Sequence, residues 1–166
     1  MDAKERIKLG YDLFNKHDME TFFKELVDEN TTWTFPGKEG VHPLSGVHKG
    51  TQAMMAAFSK IPEKWSNFSV EPLDMISEGN KVFVKVKGKA DGMETMFGHY
   101  FEVSENGKMT TMMTFDDTLS MYNEIHKQLQ AHYQLPIHHD LVELSKHHQL
   151  YKSIQFHHYV LHKHSR

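Results

Sequence analysis

The sequence predicts an α+β fold, with helices gathered at the N-terminal side and an antiparallel sheet following them. Three observations carry this. Residues 93–117 hold two alternating runs on either side of Ser104-Glu105-Asn106-Gly107, and an Asn-Gly pair tolerates the positive φ of a tight hairpin turn. Three stretches before residue 62 repeat apolar side chains at helical spacing. Helices that precede a run of strands, rather than alternate with it, pack on one face of an antiparallel sheet.

In residues 3–16, Ile7, Gly10, Tyr11 and Phe14 recur at i, i+3, i+4 and i+7, the spacing of one helical face. His17-Asp18 interrupts it. Asp18 is placed to cap a second helix, METFFKELVDE, because its carboxylate can accept the exposed first-turn N–H groups. Phe22, Phe23, Leu26 and Val27 form its buried side. Thr31 to Phe35 is a short strand of β-branched and aromatic residues, ended by Pro36-Gly37. A loop follows, broken by Gly40, Pro43, Gly46 and Gly50, with His42 and His48 as solvated loop side chains.

Thr51 is placed to cap a third helix that runs to Ile61, where Pro62 stops it. Its apolar stripe is Met54, Met55, Phe58 and Ile61; a methionine stripe suits either a core or an adaptable cavity. Phe68 to Ile76 reads as a strand. Pro72 cannot donate to a ladder, so that strand lies at an edge or carries a bulge. Glu78-Gly79-Asn80 turns the chain. Val82, Val84 and Val86 then alternate with Lys85 and Lys87, a half-buried strand with its lysines in water. Asp91-Gly92 turns into the central hairpin.

On that hairpin, residues 93, 95, 97, 99, 101 and 103 share one face, and 109, 111, 113, 115 and 117 share another. Each face is apolar with one ionisable group, His99 or Asp117. A carboxylate near an imidazole fixes its tautomer and raises its basicity, which makes an acid/base unit near neutral pH. The plainer alternatives are a hydrogen-bonded core histidine and an aspartate that caps a turn.

Composition bounds the rest. A chain of 166 residues with a net charge of −3 and no dense basic block lacks the phosphate-neutralising surface of a nucleic-acid binder. The absence of cysteine excludes disulfides, cysteine–zinc sites and thiol nucleophiles. No apolar run reaches the roughly 20 residues of a membrane span, and MDAKERIKLG lacks a signal peptide's apolar stretch, so a soluble, cytoplasmic protein is expected. Of 14 histidines, ten lie beyond residue 125, and no glycine follows Gly107. These shifts divide the chain into a core domain, 1–123, and a histidine-rich extension, 124–166. In the extension, Glu143 with His147 and His158 with His162 have the i, i+4 spacing that can hold a divalent ion. No tight three-ligand motif exists, and no metal is assigned. Tyr133, Tyr151, Phe156 and Tyr159 suggest packing on another surface, such as a second subunit. Protonation of so many histidines is expected to alter association near pH 6. No covalent-catalysis, Walker, dinucleotide or zinc-protease motif is present.

Over residues 3–121 the chain resembles the nuclear transport factor 2-like superfamily, which includes ketosteroid isomerases, limonene epoxide hydrolases and SnoaL-like polyketide cyclases. The resemblance rests on element order and on DMETFFKELVDENTTWTFPG, HPLSGVHKGTQAM and HYFEVSENGKMTTMMTFDDT. PLSGVHKG and the ending F-x-D-T are most similar to the SnoaL-like branch. The resemblance implies a cone, in which a curved antiparallel sheet wraps the three helices around a deep apolar pocket. It also implies a homodimer and a small apolar metabolite as partner. The implied activity is a cofactor-independent isomerase, cyclase, hydratase or lyase working by acid/base chemistry on a cyclic or carbonyl-bearing compound.

Residue by residue, the ketosteroid isomerase base is an aspartate just before the proline after the first strand, and that place is Phe35 here. The family's acid or oxyanion-stabilising carboxyl falls on His99, or on Tyr100 if the register moves by one. Asp117 matches an aspartate common near the end of the last strand. His99 and Asp117 are therefore the expected catalytic residues. Trp33, Phe35, Met54, Phe58, Phe97, Tyr100, Met113 and Phe115 are the expected ligand walls. A non-catalytic ligand-binding or dimerisation domain, and metal binding through the extension, are the alternative readings.

Overall fold

The first two helices begin where aspartates can cap them. In the computed structural model, which describes residues 2–37, 40, 42–117 and 121–127, the Asp2 carboxylate accepts from the Glu5 N–H at 2.8 Å and opens α1 (Ala3–Asn15). Asp18 accepts from the Thr21 N–H at 3.1 Å and opens α2 (Met19–Leu26). His17, at φ 58°, makes the reversal between them. α2 is shorter than its sequence suggests, because Val27 already belongs to β1 (Val27–Phe35) and pairs with Met109. Ladder pairing overrides local helix propensity there.

The stretch expected as loop contains β2 (Gly46–Lys49), whose Val47 and His48 pair with Thr34 and Trp33. One valine between glycine and histidine gives no alternation to read, so only the pairing reveals this edge strand. The third helix is also corrected. α3 (Gly50–Phe58) ends at Ser59, and Pro62 sits inside a short α4 (Lys60–Lys64). Proline is tolerated there because first-turn N–H groups lack intrahelical partners. Thr51 caps nothing; its hydroxyl donates to the Asp28 carbonyl at 3.3 Å.

Four strands then form a meander: β3 (Ser69–Glu78), β4 (Lys81–Ala90), β5 (Met93–Val103) and β6 (Met109–Asp116). The curved sheet has the order β2-β1-β6-β5-β4-β3. β3 is an edge strand, and its register shifts between Pro72 and Asp74, so both places allowed to Pro72 are realised. The sheet is not wholly antiparallel: β1 and β6 pair in parallel. That contact joins strands more than 70 residues apart, which no local pattern records. Residues 121–127 are helical, and Met121 is 1% exposed.

Alternation holds on β4 and β5. Val82, Val84 and Val86 are fully buried, as are Phe97, His99 and Phe101 to within a few per cent. It fails on β6. Met109 pairs with Val103 but Thr111 pairs with Glu102, so Thr110 is an extra residue on β6. A bulge of one residue turns every following side chain to the other face. Met112, Thr114 and Asp116 therefore point inward, and Met113 and Phe115 point outward.

Candidate functional site

The inner face of the sheet and the apolar faces of the helices leave a cavity of about 70 Å³ between them. α1 contributes Ile7, Gly10, Tyr11 and Phe14; β1 contributes Trp33 and Phe35; β5 contributes Phe97, His99 and Phe101; β6 contributes Met109, Met112 and Thr114. Phe22, Phe58, Ile61 and Met121 add to a wall that is almost wholly apolar. Its methionines can re-pack around ligands larger than the closed void.

The polar groups in this wall are few and paired. His99 is 7% exposed, and its Nδ1 lies 2.8 Å from the Tyr11 hydroxyl, with the two rings within 2° of parallel. Burial holds His99 down to about 4, so the imidazole is neutral at pH 7. Burial also pushes the Tyr11 phenol up, so its O–H stays protonated. A protonated phenol with no other bonded acceptor among the described residues donates to Nδ1. The imidazole proton is thereby placed on Nε2, the ring nitrogen not engaged by Tyr11. Beside it, Thr114 is the register partner of His99, and its hydroxyl accepts from the Trp33 indole N–H at 3.0 Å.

A second histidine is buried behind the Phe35 wall. His42 is 5% exposed, stacked between Phe35 at 4.8 Å and Trp65 at 5.5 Å. Its Nδ1 accepts from the Leu44 N–H at 3.2 Å, and burial lowers it to about 4. It is a packed core residue, not the solvated loop histidine expected, because two aromatic planes exclude water from it. His48 is half-buried and also bonded, its Nε2 lying 2.8 Å from the Leu44 carbonyl oxygen.

The structure brings together His99, Trp33, Phe35, Phe58 and Phe97 as lining residues. Met54 is fully buried but belongs to the packed core behind that lining. Tyr100 lies on the outer face, donating to Glu102 at 2.6 Å, so His99 and not Tyr100 faces inward. Met113 and Phe115 are outward too, and Phe115 is 47% exposed. Asp117 is exposed beyond the end of β6, and the expected His99–Asp117 pair is replaced by His99–Tyr11. The bulge at Thr110 accounts for all three β6 differences. Tyr11 was legible as a helix-face residue, and its hydroxyl on an apolar stripe was the signal of a buried partner.

A helix-backed curved sheet closing on an apolar cavity with a few buried polar groups defines a small-molecule pocket domain. The model of the SnoaL-like domain matches residues 8–112, and the chain belongs to that family. Among solved structures it is similar to Bal32a from a soil-derived mobile gene cassette, at 25% identity and TM-score 0.64, over 73% of this chain and 94% of that one. TerC, co-crystallised with polyporic acid, is 22% identical with TM-score 0.67, over 75% and 98%. A putative SnoaL-like polyketide cyclase from Jannaschia sp. CCS1 is 15% identical with TM-score 0.64, over 74% and 90%. Curated proteins yield no match. No helix among the described residues is long and apolar enough to cross a membrane, and no described cluster of three or more histidines and carboxylates has metal-site geometry. The histidine-rich extension from residue 128 onward lies outside the described residues.

Proposed function

We propose that the cavity binds a mostly apolar, cyclic, carbonyl-bearing metabolite and promotes its isomerisation, cyclisation or hydration by proton transfer. The observation that carries this is the buried Tyr11–His99 pair. With Tyr11 donating to Nδ1, His99 offers Nε2–H to a ligand oxygen from a neutral ring. Such a donor, fixed in a site from which bulk water is excluded, stabilises the charge that develops on a carbonyl oxygen during enolisation. Phe35 occupies the place of the ketosteroid isomerase base, so the hydrogen next to the carbonyl passes to a water admitted with the ligand, and the enolate is reprotonated from solvent. Asp117 is exposed beyond the end of β6 and does not line the cavity.

The test does not require the natural substrate. A panel of cyclic ketones in D2O is followed by NMR for exchange of the hydrogens next to the carbonyl. Accelerated exchange that Tyr11→Phe weakens and His99→Ala abolishes supports the reading. Exchange no faster than buffer, with ketones and matching hydrocarbons raising the melting temperature equally, favours the non-catalytic pocket.

The same reading includes a homodimer. Val47, Thr34, Met113, Tyr100, Phe83 and Ile76 are successive register partners across all six strands, on the face away from the cavity. Val47 is 57% exposed, Ile76 67% and Phe83 44%, and exposed apolar side chains on one sheet face favour a covering partner.

A further inference from the structure

The bulge at Thr110 turns inward a carboxylate that the sequence pattern assigns to the outside. Asp116 pairs in register with Phe97 and follows Thr114 on the same face; both of those neighbours line the cavity, and Asp116 lies next to that lining rather than in it. Both of its carboxylate oxygens are buried, and neither has a hydrogen-bond partner among the described residues. An unpaired buried carboxyl is costly, and a donor on a bound ligand is one way of satisfying it. Burial, with the charge of Asp117 adding to it, raises Asp116 to about 7.

Its position relative to His99 is fixed by the ladder. His99 pairs with Thr114, so Asp116 is its diagonal neighbour, with Cα atoms about 7–8 Å apart. Both side chains leave the same face of the sheet, so one six-membered ring lying along that face can reach from one to the other. A ring whose carbonyl oxygen meets His99 Nε2–H thus carries the substituent opposite that carbonyl toward Asp116. Above about pH 7, where it has lost its proton, the carboxylate is an acceptor only, so the substituent it selects is a donor.

We infer that Asp116 is a substrate-anchoring residue, and that the metabolite carries a hydroxyl across the ring from its carbonyl. This rests on the proposed carbonyl-binding role of the cavity and specifies its substrate class: hydroxylated cyclic ketones or hydroxyaryl ketones. Filling the site gives the orphaned oxygens a charge-assisted hydrogen bond without any covalent step.

The test compares two probes, 4-hydroxyacetophenone and acetophenone, by calorimetric or NMR titration of the full chain at pH 7.5, where Asp116 is mostly ionised and the phenol mostly keeps its proton. A hydrogen bond to a charged acceptor corresponds to a preference of roughly tenfold or more for the hydroxy compound. Asp116→Leu is expected to bring the ratio of affinities to about one, with Asp116→Asn in between, in variants shown to be folded by circular dichroism. His99→Phe is expected to weaken both probes and leave the ratio in place. Equal affinities in the unaltered protein, or a preference that survives Asp116→Leu, would overturn the assignment of Asp116. If neither probe binds, the carbonyl-pocket reading falls and this assignment falls with it.

Discussion

The two faces of one sheet differ in kind. On the inner face, Val82, Val84, Val86, Phe97, His99 and Met112 are sealed against the helices and every change of volume is felt. On the outer face, Phe83, Met96, Phe115 and Ile76 are apolar yet between two-fifths and two-thirds exposed. Residues one position apart thus face opposite demands. Burial on the inner side perturbs ionisable groups and makes a site. The outer side makes a surface that another molecule can cover. Chemistry and assembly are separated by the pleat of the strands.

The largest effect expected from this contrast comes from two glycines. A Cβ at Gly88 would fall 1.9 Å from Cε2 of buried Phe97, whereas one at Gly98 would fall 2.9 Å from the ring tip of exposed Phe83. Gly88→Ala must displace a packed ring and is expected to cost about 1–3 kcal/mol, while Gly98→Ala lets a surface ring swing away and costs well under 1 kcal/mol. Urea unfolding of the two variants measures the difference. Equal losses would show that the two faces are packed alike.

An effect of comparable size is expected with pH. His99 and His42 are held down to about 4 when folded, against 6.5 when unfolded. Stability present above pH 6.5 is therefore lost as pH falls toward 4, by up to roughly 3 kcal/mol for His99. Asp116 has the opposite sign. Its folded carboxyl keeps its proton up to about pH 7, so the stability it contributes below pH 4 is lost as pH rises through 7. Melting curves from pH 4 to 8 should show a flatter acid limb for His99→Phe and a gain above pH 7 for Asp116→Asn. A neutral-side curve unmoved by Asp116→Asn would mean its carboxylate is solvated.

The smallest effect on the isolated fold, and the most visible one on assembly, is expected from Phe83→Ser combined with Ile76→Lys. Both sites are exposed, so unfolding should shift by about 0.5 kcal/mol or less beyond the loss of association. Sedimentation should change from dimer to monomer. A protein that is monomeric before the substitutions would leave the outer row as plain surface.

Much of this architecture was legible in the sequence, for reasons particular residues show. Asp18, the Asn106-Gly107 turn and the valines of β4 act through local chemistry, and local chemistry is what a sequence displays. His99 was legible because β5 alternates without a break. The inward set on β6 was not, because an extra residue at Thr110 inverts the pattern and nothing in Met109-Thr110-Thr111 marks it. Nor could the partner of His99 be read: Tyr11 lies 88 residues away, and the pairing exists only once α1 docks on the sheet.

Everything proposed for the cavity depends on His99 being a neutral donor oriented by Tyr11. Nitrogen-15 NMR of the histidine rings at pH 7 tests this most directly, since the two ring nitrogens report where the proton sits. The Tyr11–His99 geometry predicts an unprotonated Nδ1 and a protonated Nε2 for His99, with that pattern weakened in Tyr11→Phe. A doubly protonated ring at pH 7, or a proton on Nδ1, would contradict it.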